Sequence, residues 1–273
     1  MNCRMMRKVL TISACCMMML AAGTTTAEED NARWLALKSM LYQDREIHDA
    51  SGVLSLYAPD RAHDAAIVPV EISAEIPQTP ERYIKRITLL IDKNPSPMAG
   101  VFELTPQSGI ATIATRVRVN EYTYMRAIAE MNDGQLYMSS RFVKASGGCS
   151  APSGKDQDAA MARLGKMKLK QLGALVPNEP NRVQLLISHP NNTGLQMDQL
   201  TRHYMPAHFV REIVVHYDDE PILSVKSDIS LSEDPSIHFF YVPDGPGEFS
   251  VDVTDTDDNR FHGQWVVPKD AGT

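Results

Sequence analysis

The sequence predicts an all-β protein: two antiparallel β-sandwich domains in one chain, with a short helix before them. Three observations predict it. Short runs that alternate apolar with polar residues, or stay apolar throughout, recur from residue 66 onward. Turn-forming stretches of Pro, Gly, Asn, Asp and Ser separate these runs. One segment near the middle, residues 146–162, is rich in Gly, Ser, Asp and Ala and lacks β periodicity, so it reads as a linker between two groups of strands.

The first 27 residues are set apart from the fold. Arg4, Arg7 and Lys8 form a basic start, an apolar stretch from Val9 to Gly23 follows, and Thr24 to Ala27 offers a small-residue cleavage site. That layout is a secretory signal, too short and wrongly flanked for a membrane span. Ile12-Ser-Ala-Cys15 also resembles a lipoprotein cleavage box, but cutting there leaves a very short apolar region, so simple export is expected.

In the exported chain, Arg33 to Tyr42 places Trp34, Leu37 and Leu41 at helical spacing, giving the short helix. Runs at 66–73, 84–91, 109–119, 122–130 and 136–143 follow as strands of a first sandwich, separated by turns such as Asp92-Lys-Asn-Pro-Ser-Pro97. After the linker, runs at 166–172, 183–188, 209–216, 221–225, 238–242, 248–253 and 263–267 form a second. Asp255-Thr-Asp-Asp-Asn259 is a hairpin turn with its charges in water; a calcium loop is disfavoured because Arg260 stands where the loop glycine belongs.

Charge and cysteine content narrow the function. The chain has 27 Lys+Arg against 34 Asp+Glu; the leader removes three basic residues and no acid, leaving 24 against 34, net −10. No basic stripe remains for a phosphate backbone, so nucleic acid is not an expected partner. Cys3, Cys15 and Cys16 leave with the leader, so Cys149 is the one thiol of the exported chain and no internal disulfide can form. An odd cysteine in an oxidising compartment points to intermolecular pairing or a reactive thiol.

Cys149 sits in Ala145-Ser-Gly-Gly-Cys-Ser-Ala-Pro-Ser-Gly-Lys-Asp156, where Gly147 and Gly148 lend flexibility to what is expected to be an exposed arm. Lys144 and Lys155 lie close enough in sequence to raise the thiolate fraction modestly. His189, His203 and His208 fall in no metal-ligand spacing; His189 and His208 are instead candidates for a partner-docking surface. The nucleophile elbow, the phosphate loop and the dinucleotide fingerprint are all missing, so no catalytic residue, metal ligand or cofactor is expected.

Short stretches in both halves carry a family likeness. Val68-Pro-Val70, Asp92-Lys-Asn-Pro-Ser-Pro97, Thr115-Arg-Val-Arg-Val119, Asp133-Gly-Gln-Leu-Tyr137 and Gly147-Gly-Cys149, in that order, resemble the SoxY subunit of the SoxYZ sulfur carrier. Leu186-Ile-Ser-His-Pro-Asn-Asn-Thr-Gly194, Pro206-Ala-His-Phe209 and His238-Phe-Phe-Tyr241 resemble SoxZ. The single-chain arrangement is similar to fused SoxYZ-like carriers associated with quinoprotein dehydrogenases.

The resemblance implies an immunoglobulin-like sandwich for residues 28–146, another for 163–273, and a carrier arm at 147–162 bearing Cys149. It implies a periplasmic carrier, not an enzyme, that holds a sulfur-containing intermediate covalently on Cys149 for redox enzymes or cytochromes. The alternative is a non-covalent accessory protein of a periplasmic quinoprotein dehydrogenase, with the thiol incidental. In the two-subunit family the arm ends in a free Gly-Gly-Cys-Gly-Gly terminus; here Ser150 and Ala151 follow the cysteine and the chain continues.

Overall fold

A computed structural model describes residues 28–152, 157–199 and 201–267. The expected leader and residues 153–156, Lys155 among them, lie outside the described residues. The chain divides into two units, one ending at Arg45 and one starting at Glu46. In the first, residues 28–42 form helix α1. The segment contains no Gly or Pro, is rich in Ala and Leu, and begins with Glu28, Glu29 and Asp30, whose charges suit the positive end of the helix dipole.

The second unit is built from two sheets. Its first half supplies β1 (Ile47–Asp49), β2 (Leu54–Tyr57), β3 (Val68–Ala74), β4 (Ile84–Ile91), β5 (Met98–Leu104), β6 (Ile113–Val117), β7 (Thr123–Met131) and β8 (Leu136–Val143). After the short helix α2 (Gln157–Met161) come β9 (Met167–Gln171), β10 (Asn181–Ile187), β11 (Val210–Tyr217), β12 (Glu220–Ser227), β13 (Ser236–Tyr241), β14 (Gly247–Asp255) and β15 (Arg260–Val267). Alternation sets the faces: along β10, Val183, Leu185 and Ile187 are buried while the residues between them are half-buried.

Both sheets run through both halves. The nine-stranded sheet has the order β1-β8-β7-β4-β5-β12-β11-β14-β15, and the six-stranded sheet β2-β3-β6-β13-β10-β9. β5 pairs with β12 from Leu104↔Leu223 to Gly100↔Ser227, whereas β6 and β13 share the single pair Ala114↔His238. The halves are therefore joined edge to edge in both sheets, which closes four strand edges, those of β5, β12, β6 and β13. One hydrophobic cluster crosses the seam, with Ile87 and Phe102 from the first half and Val225, Phe239 and Phe249 from the second. Tyr217, Tyr241 and Phe249 meet edge-on or tilted at 4.6–4.9 Å between ring centroids, each pair contributing roughly 0.5–1.5 kcal/mol beyond its burial.

Among the described residues no helix is long and apolar enough to cross a membrane.

Candidate functional site: a covered thiol at the seam

Cys149 lies just beyond β8, and the structure places it differently from the expected exposed arm. It is 0 % exposed. The glycines before it are not free either. The N–H of Gly147 donates to the Asn120 carbonyl and that of Gly148 to the Val119 carbonyl, both at 2.9 Å, so the segment runs along the end of β6. Gly147 takes φ +80°, where side chains are disfavoured, and a Cβ on Gly148 would overlap the backbone carbonyl of Ala65. A positive φ at Gly147 and close approach of backbone to backbone at Gly148, rather than flexibility, are what these two glycines supply.

The cover over the thiol comes from the second half. The loop between β10 and β11 aims the Thr193 hydroxyl at the Cys149 carbonyl (2.6 Å) and the Gln196 side-chain amide at the Ala151 carbonyl (2.9 Å). Gln196 is itself set by accepting the Thr193 N–H at 3.0 Å. Ser150, one residue past the thiol, is already exposed. Two side-chain hydrogen bonds, worth about 1 kcal/mol each, thus hold the Cys149–Ala151 backbone against the loop.

Beneath the thiol lies Arg118, 1 % exposed. Its Nη1 donates to the Gly148 carbonyl at 3.3 Å, while Nε and Nη2 have no hydrogen-bond partner among the described residues. Burial lowers the guanidinium pKa, partly offset by Glu233, Cys149 and Asp64. Asn94 fixes the backbone there: its Nδ2 donates to the Arg118 carbonyl (2.7 Å) and the Ser230 hydroxyl (2.8 Å), and its Oδ1 accepts the Asn120 N–H (2.9 Å). Burial pushes the Cys149 thiol up to about 11, with Arg118 pulling the other way. Roughly one molecule in ten thousand is then thiolate at neutral pH, far below an unperturbed cysteine.

The covering loop is anchored by a buried polar cluster, and here a second expectation fails. His189 and His208 do not line a surface; they are 1 % and 8 % exposed. Their Nε2 atoms lie 3.4 and 2.8 Å from the same Oδ2 of Asp255. His189 Nδ1 accepts the Asn191 N–H at 3.1 Å, so its Nε2 carries the proton and donates to the carboxylate. Asp255 is not a solvated turn residue but fully buried, accepting also the N–H groups of Asp257 and Asn259 and the Asn259 side-chain amide.

Burial alone would raise the Asp255 carboxyl; the hydrogen bonds from Asn259, His208 and His189 overcome it and hold the group at about 2. Burial and the neighbouring His208 push His189 down to about 4. The two imidazoles and the carboxylate bring their ligand atoms within 4.8 Å of one another, the one such grouping among the described residues. These are the residues that could hold a metal ion, but His189 Nδ1 and the carboxylate oxygens are already engaged with backbone and side-chain donors, which accounts for the cluster as a structural brace. From it the loop is tied further: Asn191 donates to the Leu231 and Ser232 carbonyls and accepts from the Val210 N–H.

Several of the stretches that carried the family likeness thus meet at one place: Asn94, Arg118, Gly148-Cys149, His189 to Thr193, and His208. Sequence reasoning found the thiol, its glycines and the two histidines; it missed Arg118, Thr193, Gln196 and the burial of Asp255. The one signal for Arg118 was a second arginine in an otherwise alternating apolar run.

A single thiol covered at the junction of two fused sandwich halves defines the class: an all-β protein that shelters one cysteine between its parts. The family model for the sulfur oxidation protein SoxY matches residues 38–149, ending on that cysteine, and the model for the sulphur oxidation protein SoxZ matches residues 170–266. The chain belongs to the SoxY–SoxZ sulfur-oxidation carrier family, with both members in one polypeptide. No curated protein matches the sequence. Among solved structures, the sulfur carrier protein SoxY of Chlorobium limicola f thiosulfatophilum is similar at 22 % identity, covering 42 % of this chain and 94 % of its own, with TM-score 0.36. A superoxide reductase (neelaredoxin) from Ignicoccus hospitalis is similar at 17 % identity, covering 39 % of this chain and 87 % of its own, with TM-score 0.31.

Proposed function

We propose that the chain is a periplasmic carrier that holds a sulfur-containing group covalently on Cys149, and that the arrangement described above is its covered state. The observation that carries the reading is the coincidence of the sole cysteine outside the leader with the end of the SoxY match, under a loop contributed by the SoxZ half. Residues 149–151 lie outside the strands and Ser150 is already exposed, so uncovering needs only local opening there and not unfolding of the sheets. Once uncovered, the thiol regains an ordinary pKa and becomes a nucleophile.

Loading by exchange is balanced without any group the protein lacks. The Cys149 thiolate attacks one sulfur of a disulfide-bearing donor, a new S–S bond forms, the donor's S–S bond breaks, and the departing thiolate takes the proton that Cys149 released. The donor disulfide is the oxidant. Arg118 is the nearby positive charge that favours the ionised sulfur during this step.

The accessory reading, docking to a quinoprotein dehydrogenase with the thiol incidental, differs in one measurable respect. Affinity capture from the periplasm with wild type and Cys149→Ser separates the two. The carrier reading expects partners joined to wild type through a reductant-sensitive bond that the variant lacks. Identical, reductant-insensitive capture by both proteins would overturn it in favour of docking alone.

A further inference from the structure

The outer face of the six-stranded sheet carries a second feature, at the seam and apart from Cys149. Strand register aligns Glu71, Ala114, His238 and Gln184 in one row across β3, β6, β13 and β10. The residue in the middle of that row contributes only a methyl group, and a hollow of about 430 Å³ opens there. Arg116, two positions after Ala114 on β6, and Arg182, two positions before Gln184 on β10, flank the row from opposite sides and line the hollow.

The walls are short of partners for their donors. Arg116 Nε, Arg182 Nε and His238 Nδ1 are shielded from solvent yet make no hydrogen bond among the described residues. Arg116 spends Nη2 on a backbone carbonyl, that of Asp234, at 2.9 Å. Arg182 reaches Glu71 at a long 3.4 Å, both side chains being more than one-third exposed. Two guanidinium cations therefore face one carboxylate, a locally positive hollow in a chain whose net charge is −7. Burial, then Arg182, lowers the pKa of His238, which keeps the imidazole a neutral polar group. Tyr57, Pro69 and Leu186 complete the lining with apolar surface.

We infer that this hollow is a binding site for a small organic anion, an oxoanion headgroup held by Arg116 and Arg182 with a short apolar body against Tyr57, Pro69 and Leu186. The volume exceeds what a bare inorganic oxoanion fills and falls in the range of small-molecule sites. Guanidinium forks match carboxylate and sulfonate oxygens in geometry and charge. Because the lining comes from both halves, a bound anion also bridges the seam where β6 and β13 share one register pair. The site does not depend on the thiol, so its fate and that of the carrier reading are separable.

The test is calorimetric titration of the full chain carrying Cys149→Ser with benzoate, benzenesulfonate, inorganic sulfate and neutral benzamide at constant ionic strength. Benzoate or benzenesulfonate is expected to bind roughly tenfold or more tighter than benzamide and than sulfate. Arg116→Met and Arg182→Met are each expected to weaken that binding about tenfold, while Arg211→Met, an exposed residue paired with Asp258, leaves it unchanged. Ala114→Leu keeps every charge and fills the hollow, so it is expected to abolish binding with the fold retained by circular dichroism. Equal binding of benzamide, preference for bare sulfate, no anion bound at 10-fold molar excess over about 1 mM protein, or full binding by Ala114→Leu would each overturn the assignment.

Discussion

At the scale of single residues, Arg118 and Cys149 set each other's chemistry. A buried cation with two unpartnered nitrogens is costly, and replacing such a group by an apolar residue of similar size is often neutral or stabilising. Arg118→Met is therefore expected to be at least as stable as wild type in urea unfolding. Its thiol is expected to ionise at higher pH, seen as slower alkylation at any fixed alkaline pH. A variant that loses several kcal/mol while its alkylation profile stays put would show that Arg118 serves packing alone. The thiol also has a pH window. Its folded pKa, about 11, lies above the ordinary value of 9.0, so the folded state holds the proton that the unfolded state releases. The resulting stabilisation is complete below pH 9 and is lost as pH rises from 9 to 11. Alkylation of Cys149 is expected to climb through that window in wild type, while Cys149→Ser shows no matching loss of stability.

At the scale of elements, the loop between β10 and β11 governs access to the thiol. Removing the Thr193 hydroxyl in Thr193→Val takes one hydrogen bond from the cover, about 1 kcal/mol, and alkylation at pH 8 is expected to rise roughly fivefold. Gly148→Ala places a methyl group on the Ala65 carbonyl and must displace the segment; alkylation is expected to rise more than in Thr193→Val, with global stability down by about 1–3 kcal/mol. Unchanged alkylation in both variants would mean that the loop does not limit access. The brace behind the loop responds to acid. His189 falls from 6.5 to about 4 and Asp255 from 3.8 to about 2, both folded values below the ordinary ones, so their stabilisation is present above pH 6.5 and lost as pH falls toward 2. Thermal melts between pH 7 and 3 are expected to show that loss, and His189→Gln to reduce the part that falls between pH 6.5 and 4.

Much of this element-level picture was legible in the residues, for a physical reason. β4, β7, β10 and β14 alternate or run apolar strongly enough to be read alone. β1, β2 and β5 were missed: the first two are three and four residues long, and β5 carries Gly100 and earns its place by pairing with β12, far along the chain. The histidines were visible, but their burial depends on Asp255, 66 residues beyond His189 and 47 beyond His208. A still longer separation hid Arg118, whose backbone N–H is held by the Ser230 carbonyl. Local pattern reports which residues suit a strand; it does not report which side chain a remote partner draws inside.

At the scale of the whole molecule, fusion changes what a carrier must do. The two halves share both sheets and one core, and Cys149 is held at their junction rather than on a free tail. The second half supplies the cover, so one polypeptide contains both the thiol and its shelter. On the carrier function proposed above, loading requires a partner that opens the segment or captures it when it opens. The most direct measurement is intact-mass spectrometry, under non-reducing conditions, of the protein isolated from its native cells. The account predicts a mass increment localised to Cys149 and removed by a thiol reductant, with none on Cys149→Ser. An unmodified Cys149 under every growth condition, with Cys149→Ser fully functional in the cell, would contradict it.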